Sequence, residues 1–313
     1  MKKICLYIIL VCYASSTAQT LTGELTKENT NIKFFDAKLS PWDVLVSTSR
    51  MTFAGGGGGK LYLNGFYLGA NYEYHYIDNL AEAASTESIK GSSIYVPTKS
   101  RNGDATIGYF HQKVKLGKVR VKLKDTHRTT TYARFDAHYN KIFGVQIGYK
   151  SGFSQLTIPS GVNVQDYYAP SKEPIVTESG MTTYMTYKWI TFGPSFGKII
   201  DVEGNFNGYG IRKRRSFERF YANVIIATNS TLEDVYYAEE DVSTNNSLVH
   251  RYVLNGNVPM SNVGFNVGIE TFKFYGFGVV YGIEAGIMPG VKISGAGNGY
   301  FAFKWGIILG KAW

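Results

Sequence analysis

Three stretches near the C-terminal end of the chain alternate strictly between large apolar residues and small or polar ones. From Val263 the odd positions read Val263, Phe265, Val267 and Ile269, with Gly264, Asn266, Gly268 and Glu270 between them. Phe277, Val279, Tyr281, Ile283, Ala285 and Ile287 then oppose Gly278, Gly282, Glu284 and Gly286. Last, Phe301, Phe303, Trp305, Ile307 and Leu309 share a face, with Lys304, Gly306 and Gly310 opposite. A period of two puts alternate side chains on opposite faces of a strand. These runs exceed the five or six residues usual in soluble strands, and match the roughly 9–11 residues a tilted strand needs to cross a bilayer. Small, wet residues opposite the bulky ones suit a barrel lumen.

Extending the pattern predicts strands near 42–54, 58–63, 66–77, 105–116, 118–125, 131–139, 142–156, 181–188, 190–200, 206–213, 216–228, 259–271, 276–288 and 300–313. Short turns fall at Asn64-Gly65, Leu116-Gly117, Tyr139-Asn140-Lys141, near Lys188-Trp189, near Lys213-Arg214, and at Lys273-Phe274. Asn-Gly is the strongest of them, because both central positions of a type I′ turn need positive φ. Long connections occupy 78–104, 157–180, 229–258 and 289–299. The expectation is an all-β fold, a transmembrane antiparallel up-and-down β-barrel of about 14 strands, with 12 to 16 allowed. Gly55 to Gly59 is either a loop, a bend or a site of close backbone approach.

The leader changes the picture from fold to place. Lys2 and Lys3 precede the apolar run Ile4–Tyr13, and Ser16-Thr17-Ala18 offers a small-x-small cleavage site. Residues 1–18 therefore read as a secretory signal peptide. A lipoprotein reading through Cys12 is rejected because Val11 is bulky where a small residue is required. Residues 19–41 read as a periplasmic N-terminal segment and 42–313 as the barrel. The chain's only two cysteines, Cys5 and Cys12, leave with the leader, which excludes a disulfide scaffold, a thiolate metal site and a thiol nucleophile. Its removal takes two lysines and no acids, lowering the formal charge from +9 to +7.

The final run Lys304-Trp305-Gly306-Ile307-Ile308-Leu309-Gly310-Lys311-Ala312-Trp313 resembles the C-terminal strand of Gram-negative outer-membrane β-barrel proteins. A polar residue, then Gly, then apolar and aromatic positions ending in an aromatic residue carry the resemblance. It implies an outer-membrane barrel and no particular activity. Lys311 stands where the pattern favours an apolar residue.

With the long loops outside, the short turns face the periplasm and are basic: Lys118, Lys141, Lys188, Arg212, Lys213, Arg214, Arg215 and Lys273. They suit anionic headgroups, each cation contributing on the order of 1 kcal/mol. Loop 229–249 carries Glu233, Asp234, Glu239, Glu240 and Asp241, which lack the ordered spacing of a Ca²⁺ loop and read as solvated charge. A two-residue turn at Leu116-Gly117 sets Lys115 opposite Lys118 and Lys113 opposite Arg120, with Lys122 and Lys124 continuing that face. Lipid-facing cations cost roughly 2–4 kcal/mol each at the midplane, so this ladder is expected in the lumen. There it either biases a pore toward anions or pairs with carboxylates. A lumenal polar network of Glu73, His75, Arg134, Asp136, His138, Glu270 and Glu284 is expected beside it.

No catalytic, cofactor or metal site emerges. Gly193-Pro194-Ser195-Phe196-Gly197 fits G-x-S-x-G, but no helical pattern follows to make a nucleophile elbow. Gly59-Lys60 fails as a phosphate loop, with Ala54 where Gly is required and Leu61 where Ser or Thr is. The leading functional expectation is a structural or binding subunit of an envelope assembly. The alternative is a passive channel or transporter for small anionic or amphipathic solutes, and an outer-membrane hydrolase stands third. Outer-membrane lipids and other envelope proteins are the expected partners; nucleic acid is not.

Overall fold

A computed structural model describes residues 23–47, 51–77, 100–126, 129–157, 161–167, 170–176, 182–241, 246–254, 260–291 and 299–313. Residues 1–18, the expected signal peptide, and much of the connections 78–104 and 289–299 lie outside these ranges. The strands are β1 (Gly23–Glu28), β2 (Phe34–Ser47), β3 (Met51–Leu63), β4 (Phe66–Ile77), β5 (Arg101–Asp125), β6 (Thr130–Thr157), β7 (Asn163–Asp166), β8 (Ile175–Val176), β9 (Thr182–Phe206), β10 (Gly210–Asp241), β11 (Asn246–Leu254), β12 (Met260–Ser261), β13 (Val263–Phe272), β14 (Gly276–Ile287), β15 (Gly290–Val291) and β16 (Gly299–Ala312).

Ten of them close an antiparallel barrel in the order β2-β3-β4-β5-β6-β9-β10-β13-β14-β16, with β16 pairing back onto β2. β1 adds to β9 at one end, and β11, β7 and β8 extend β10 at the other. The expected fourteen strands become ten because four expected turns sit inside strands. Leu116-Gly117 lies within β5, Tyr139-Asn140-Lys141 within β6, Lys188-Trp189 within β9 and Lys213-Arg214 within β10. The β5–β6 register runs unbroken from Arg101↔Phe153 to Lys122↔Tyr132, straight through the supposed hairpin. The charges that mimic turns sit where strands run past the apolar belt into solvent. The barrel wall also begins at Phe34, eight residues inside the expected lead-in.

Asn64 and Gly65 do turn the chain, with φ of 50° and 94°. The five glycines are neither loop nor bend but the middle of β3. A Cβ at Gly56 would stand 2.1 Å from the Tyr72 carbonyl oxygen, so only glycine lets β3 and β4 come this close.

Outside, the wall is an apolar belt: Phe277 and Leu309 are 72% and 66% exposed, with Ile107, Val145, Phe192, Phe265 and Phe301 around them. At the short-turn end the β13–β14 turn follows Phe272, level with Phe217, Ile199, Asn140 and Val114 across the neighbouring strands. Below that level β6 and β9 separate, and the β5–β6 and β9–β10 hairpins continue as an extension. There Val119, Val121, Leu123, Ala133 and Ala137 pack on Ile200, Val202 and Phe206. Arg212 Nε and Arg214 Nη1 donate to the Leu123 and Arg120 carbonyls at 2.9 and 2.8 Å, tying β10 to β5.

Candidate functional site

The barrel is not hollow. At the short-turn end, inward positions of six strands are aromatic, and with Phe274 of the β13–β14 turn they meet on the axis. Phe34 stacks on Tyr62 and Phe274 with ring centroids 5.4 and 5.0 Å apart, and Phe217 stacks on Phe272 at 5.0 Å. Tyr67 faces Phe217 at 6.1 Å and Phe110 at 5.6 Å. All are essentially inaccessible, and Ile142, Ile199 and Ile308 fill the gaps. This layer is a floor.

Directly above it lies a charged and polar layer. Glu270 takes Lys60 on one oxygen and Arg219 Nη2, at 3.0 Å, on the other. Arg219 Nη1 donates to Gln146, whose amide donates to Asn223 at 2.9 Å, and Asn223 donates to Asn266 at 2.9 Å. Lys60 lies 4.0 Å over the Phe272 ring and Arg219 4.7 Å over Tyr67, so the two cations bridge the acid and the floor. Higher up, Tyr221 donates to Glu284 at 2.6 Å, Tyr300 donates to its other oxygen, and Lys304 stands 3.7 Å away. Lys38 pairs with Asp43 at 3.6 Å. Buried ions are tolerable only when so paired and bonded.

These side chains border a cavity of about 130 Å³, lined by Lys38, Lys60, Asn71, Asp104, Lys150, Arg219, Glu284 and Lys304 among others. Two buried atoms of lining residues have no hydrogen-bond partner among the described residues: Arg219 Nε, a donor, and Asn71 Oδ1, an acceptor. The site thus presents charges of both signs and Tyr67 of the aromatic floor.

Of the residues singled out from sequence, Glu73, His75, Glu270 and Glu284 are inside the barrel. The others are not. The expected lumenal ladder of Lys113, Lys115, Lys118, Arg120, Lys122 and Lys124 lies on the exposed extension of β5. Without a turn at 116–117, Lys113 and Lys115 fall on one face and the remaining four on the other. Arg134 and Asp136 are exposed on β6 in the extension, and His138 there binds Glu28 of β1 through Nδ1 at 2.6 Å. The basic set is likewise redistributed. Lys141 lies within β6 and Arg212, Lys213, Arg214 and Arg215 within β10, while Lys273 does stand in a turn. Lys188 faces outward towards the long-connection end. Of the acidic loop, Glu233 and Asp234 belong to β10, and Asp234 pairs with Arg251. Ser195, of the G-x-S-x-G match, is buried in mid-strand with its hydroxyl on the Phe220 carbonyl at 3.3 Å.

Sequence reasoning missed Lys60, Arg219, Tyr221 and the floor. The signal was present in β10, where Phe217, Arg219, Tyr221 and Asn223 alternate with outward residues, but periodicity alone does not say which strands meet across a lumen.

What the geometry defines is a closed antiparallel β-barrel with an apolar exterior and a filled, polar interior. No family model and no curated protein matches the chain. Among solved structures it is similar to the P. putida toluene transporter TodX, at 8% identity over 90% of this chain and 88% of that one, with a TM-score of 0.22. It is also similar to the CymD monoaromatic hydrocarbon channel, at 10% identity over 91% and 89%, with a TM-score of 0.19. At these TM-scores neither likeness says anything about what this chain does.

Proposed function

We propose that this chain is an outer-membrane β-barrel that passes small amphipathic solutes through a gated lumen. The observation that carries the reading is the polar cavity standing directly on the aromatic floor. A solute with one charged and one apolar end finds the charged groups lining the cavity, Lys38, Lys150, Arg219, Glu284 and Lys304 among them, for the first, and Tyr67 of the floor for the second. The apolar belt supports placement in a bilayer, since a water-facing surface of this extent is untenable in a soluble monomer. Strand closure satisfies the backbone there. The short-turn end then faces the periplasm, with its basic residues against headgroups and solvent. Anion selectivity is no longer favoured, because the lysine ladder is outside the lumen and the cavity mixes both signs. No catalytic role is proposed.

A second reading, a non-conducting subunit of an envelope assembly, is favoured by one feature: the rings of the floor meet on the axis and are essentially inaccessible. Reconstitution separates the two. The purified barrel in liposomes should take up labelled phenylalanine or benzoate while showing little ion conductance in planar bilayers. Absence of uptake, together with co-purifying envelope proteins, would leave the subunit reading in its place.

A further inference from the structure

The extension of β5 is an open sheet edge. On that side β4 pairs with β5 only as far as Phe66↔Tyr109, and the last bond is Phe110 N–H to the Gly65 carbonyl at 2.7 Å. Beyond it, among the described residues, no strand pairs with β5 on that side, while β6 continues on the other to Asp125↔Thr130. Because Phe110 aims its N–H at the β4 side and the register does not shift before Lys122, Gln112, Val114, Leu116 and Lys118 aim theirs the same way. The Arg120 carbonyl, of the same set, receives Arg214 at 2.8 Å, which closes the lower end. The open stretch is therefore 111–118. Val114 and Leu116 on it are 50% and 64% exposed, flanked by Lys113, Lys115 and Lys118.

We propose that this edge is a docking site for an extended acidic peptide segment of a partner protein, which adds to β5 as a further strand. Backbone groups supply the ladder, Val114 and Leu116 receive alternate apolar side chains, and the lysines select carboxylates. A second copy of this chain is disfavoured as occupant, since antiparallel pairing of two such edges sets lysine against lysine. The placement beside the floor goes beyond the transport reading and does not depend on it.

The test uses the full chain in nanodiscs of zwitterionic lipid and a fluorescein-labelled peptide alternating Glu and Val. Anisotropy should report binding that weakens as salt rises, and the peptide with Lys for Glu should not bind. Leu116→Pro removes one outward N–H while sparing the ladder to β6, and should lower affinity by about tenfold or more. The Glu–Val peptide with N-methylated backbone amides on the docking side should fail on the unaltered barrel, a readout that needs no variant to fold. Lys113→Gln with Lys115→Gln and Lys118→Gln should flatten the salt dependence. No binding, equal binding of the lysine or N-methylated peptide, or self-association of the barrel through this edge would each overturn the proposal. Solute uptake measured on the same preparations stands or falls separately.

Discussion

Replacing Glu270 by Gln tests the layer that joins cavity to floor. The exchange keeps the side chain's shape and removes one negative charge. In the native barrel Lys60, Glu270 and Arg219 have side chains only 11%, 17% and 9% exposed, and the carboxylate is bonded to both cations. Without it, the two buried cations keep the Phe272, Tyr67 and Tyr221 ring faces and the buried Asp36 carboxyl near Lys60 as counter-charge. Breaking a buried ion pair from one side costs about 3–5 kcal/mol. The Gln oxygen still accepts one hydrogen bond, which restores about 1 kcal/mol. The expected net loss is therefore about 2–4 kcal/mol, read as a lower urea midpoint for unfolding from lipid vesicles by tryptophan fluorescence. The triple exchange Lys60→Met, Arg219→Met, Glu270→Leu should recover most of that loss, because it removes the ions together. An E270Q barrel within about 0.5 kcal/mol of the unaltered one, a difference typical of surface changes, would refute the claim that these three charges hold one another in place.

Three further outcomes follow. Phe217→Ala with Phe272→Ala should open the floor, giving stable ionic conductance in planar bilayers where the unaltered barrel gives little, at a folding cost of about 3–5 kcal/mol per ring. Gly56→Ala forces a Cβ to within 2.1 Å of the Tyr72 carbonyl unless the strands part, and should lower the urea midpoint by an amount equivalent to about 1–3 kcal/mol. Glu28 is held below its ordinary value of 4.5, first by the His138 backbone N–H and also by the His138 ring. Its contribution is thus complete above pH 4.5 and lost as pH falls through the lowered value. A fluorophore on Leu25→Cys should therefore gain mobility on acidification below that point, and Glu28→Gln should make its mobility independent of pH.

The legible part of the fold lies where strands are no longer than the apolar belt. Expected strands at 259–271, 276–288 and 300–313 correspond to β13, β14 and β16 within a few residues, and Asn64-Gly65 turns as its backbone preference requires. The misread part lies in β5, β6, β9 and β10, each of 25 to 32 residues, well over the roughly 9–11 needed to span hydrocarbon. A lysine in mid-strand beyond the belt has the same neighbours in sequence as a lysine in a turn. Reading Lys115 and Lys118 as turn flanks placed them in the lumen, whereas an uninterrupted strand sets them on the open extension.

Alternation by itself determined that the chain is all-β, that bulky apolar side chains line one face, and that Glu270 and Glu284 lie on the other. It did so because a strand's period of two is a local property of the backbone. Only the tertiary structure decided that ten strands close the ring, that Phe34, Phe217 and Phe272 meet as a floor, and that Lys60 and Arg219 converge on Glu270. Those meetings depend on strand stagger around the barrel, which is fixed by closure of the whole sheet and leaves no mark on any single strand.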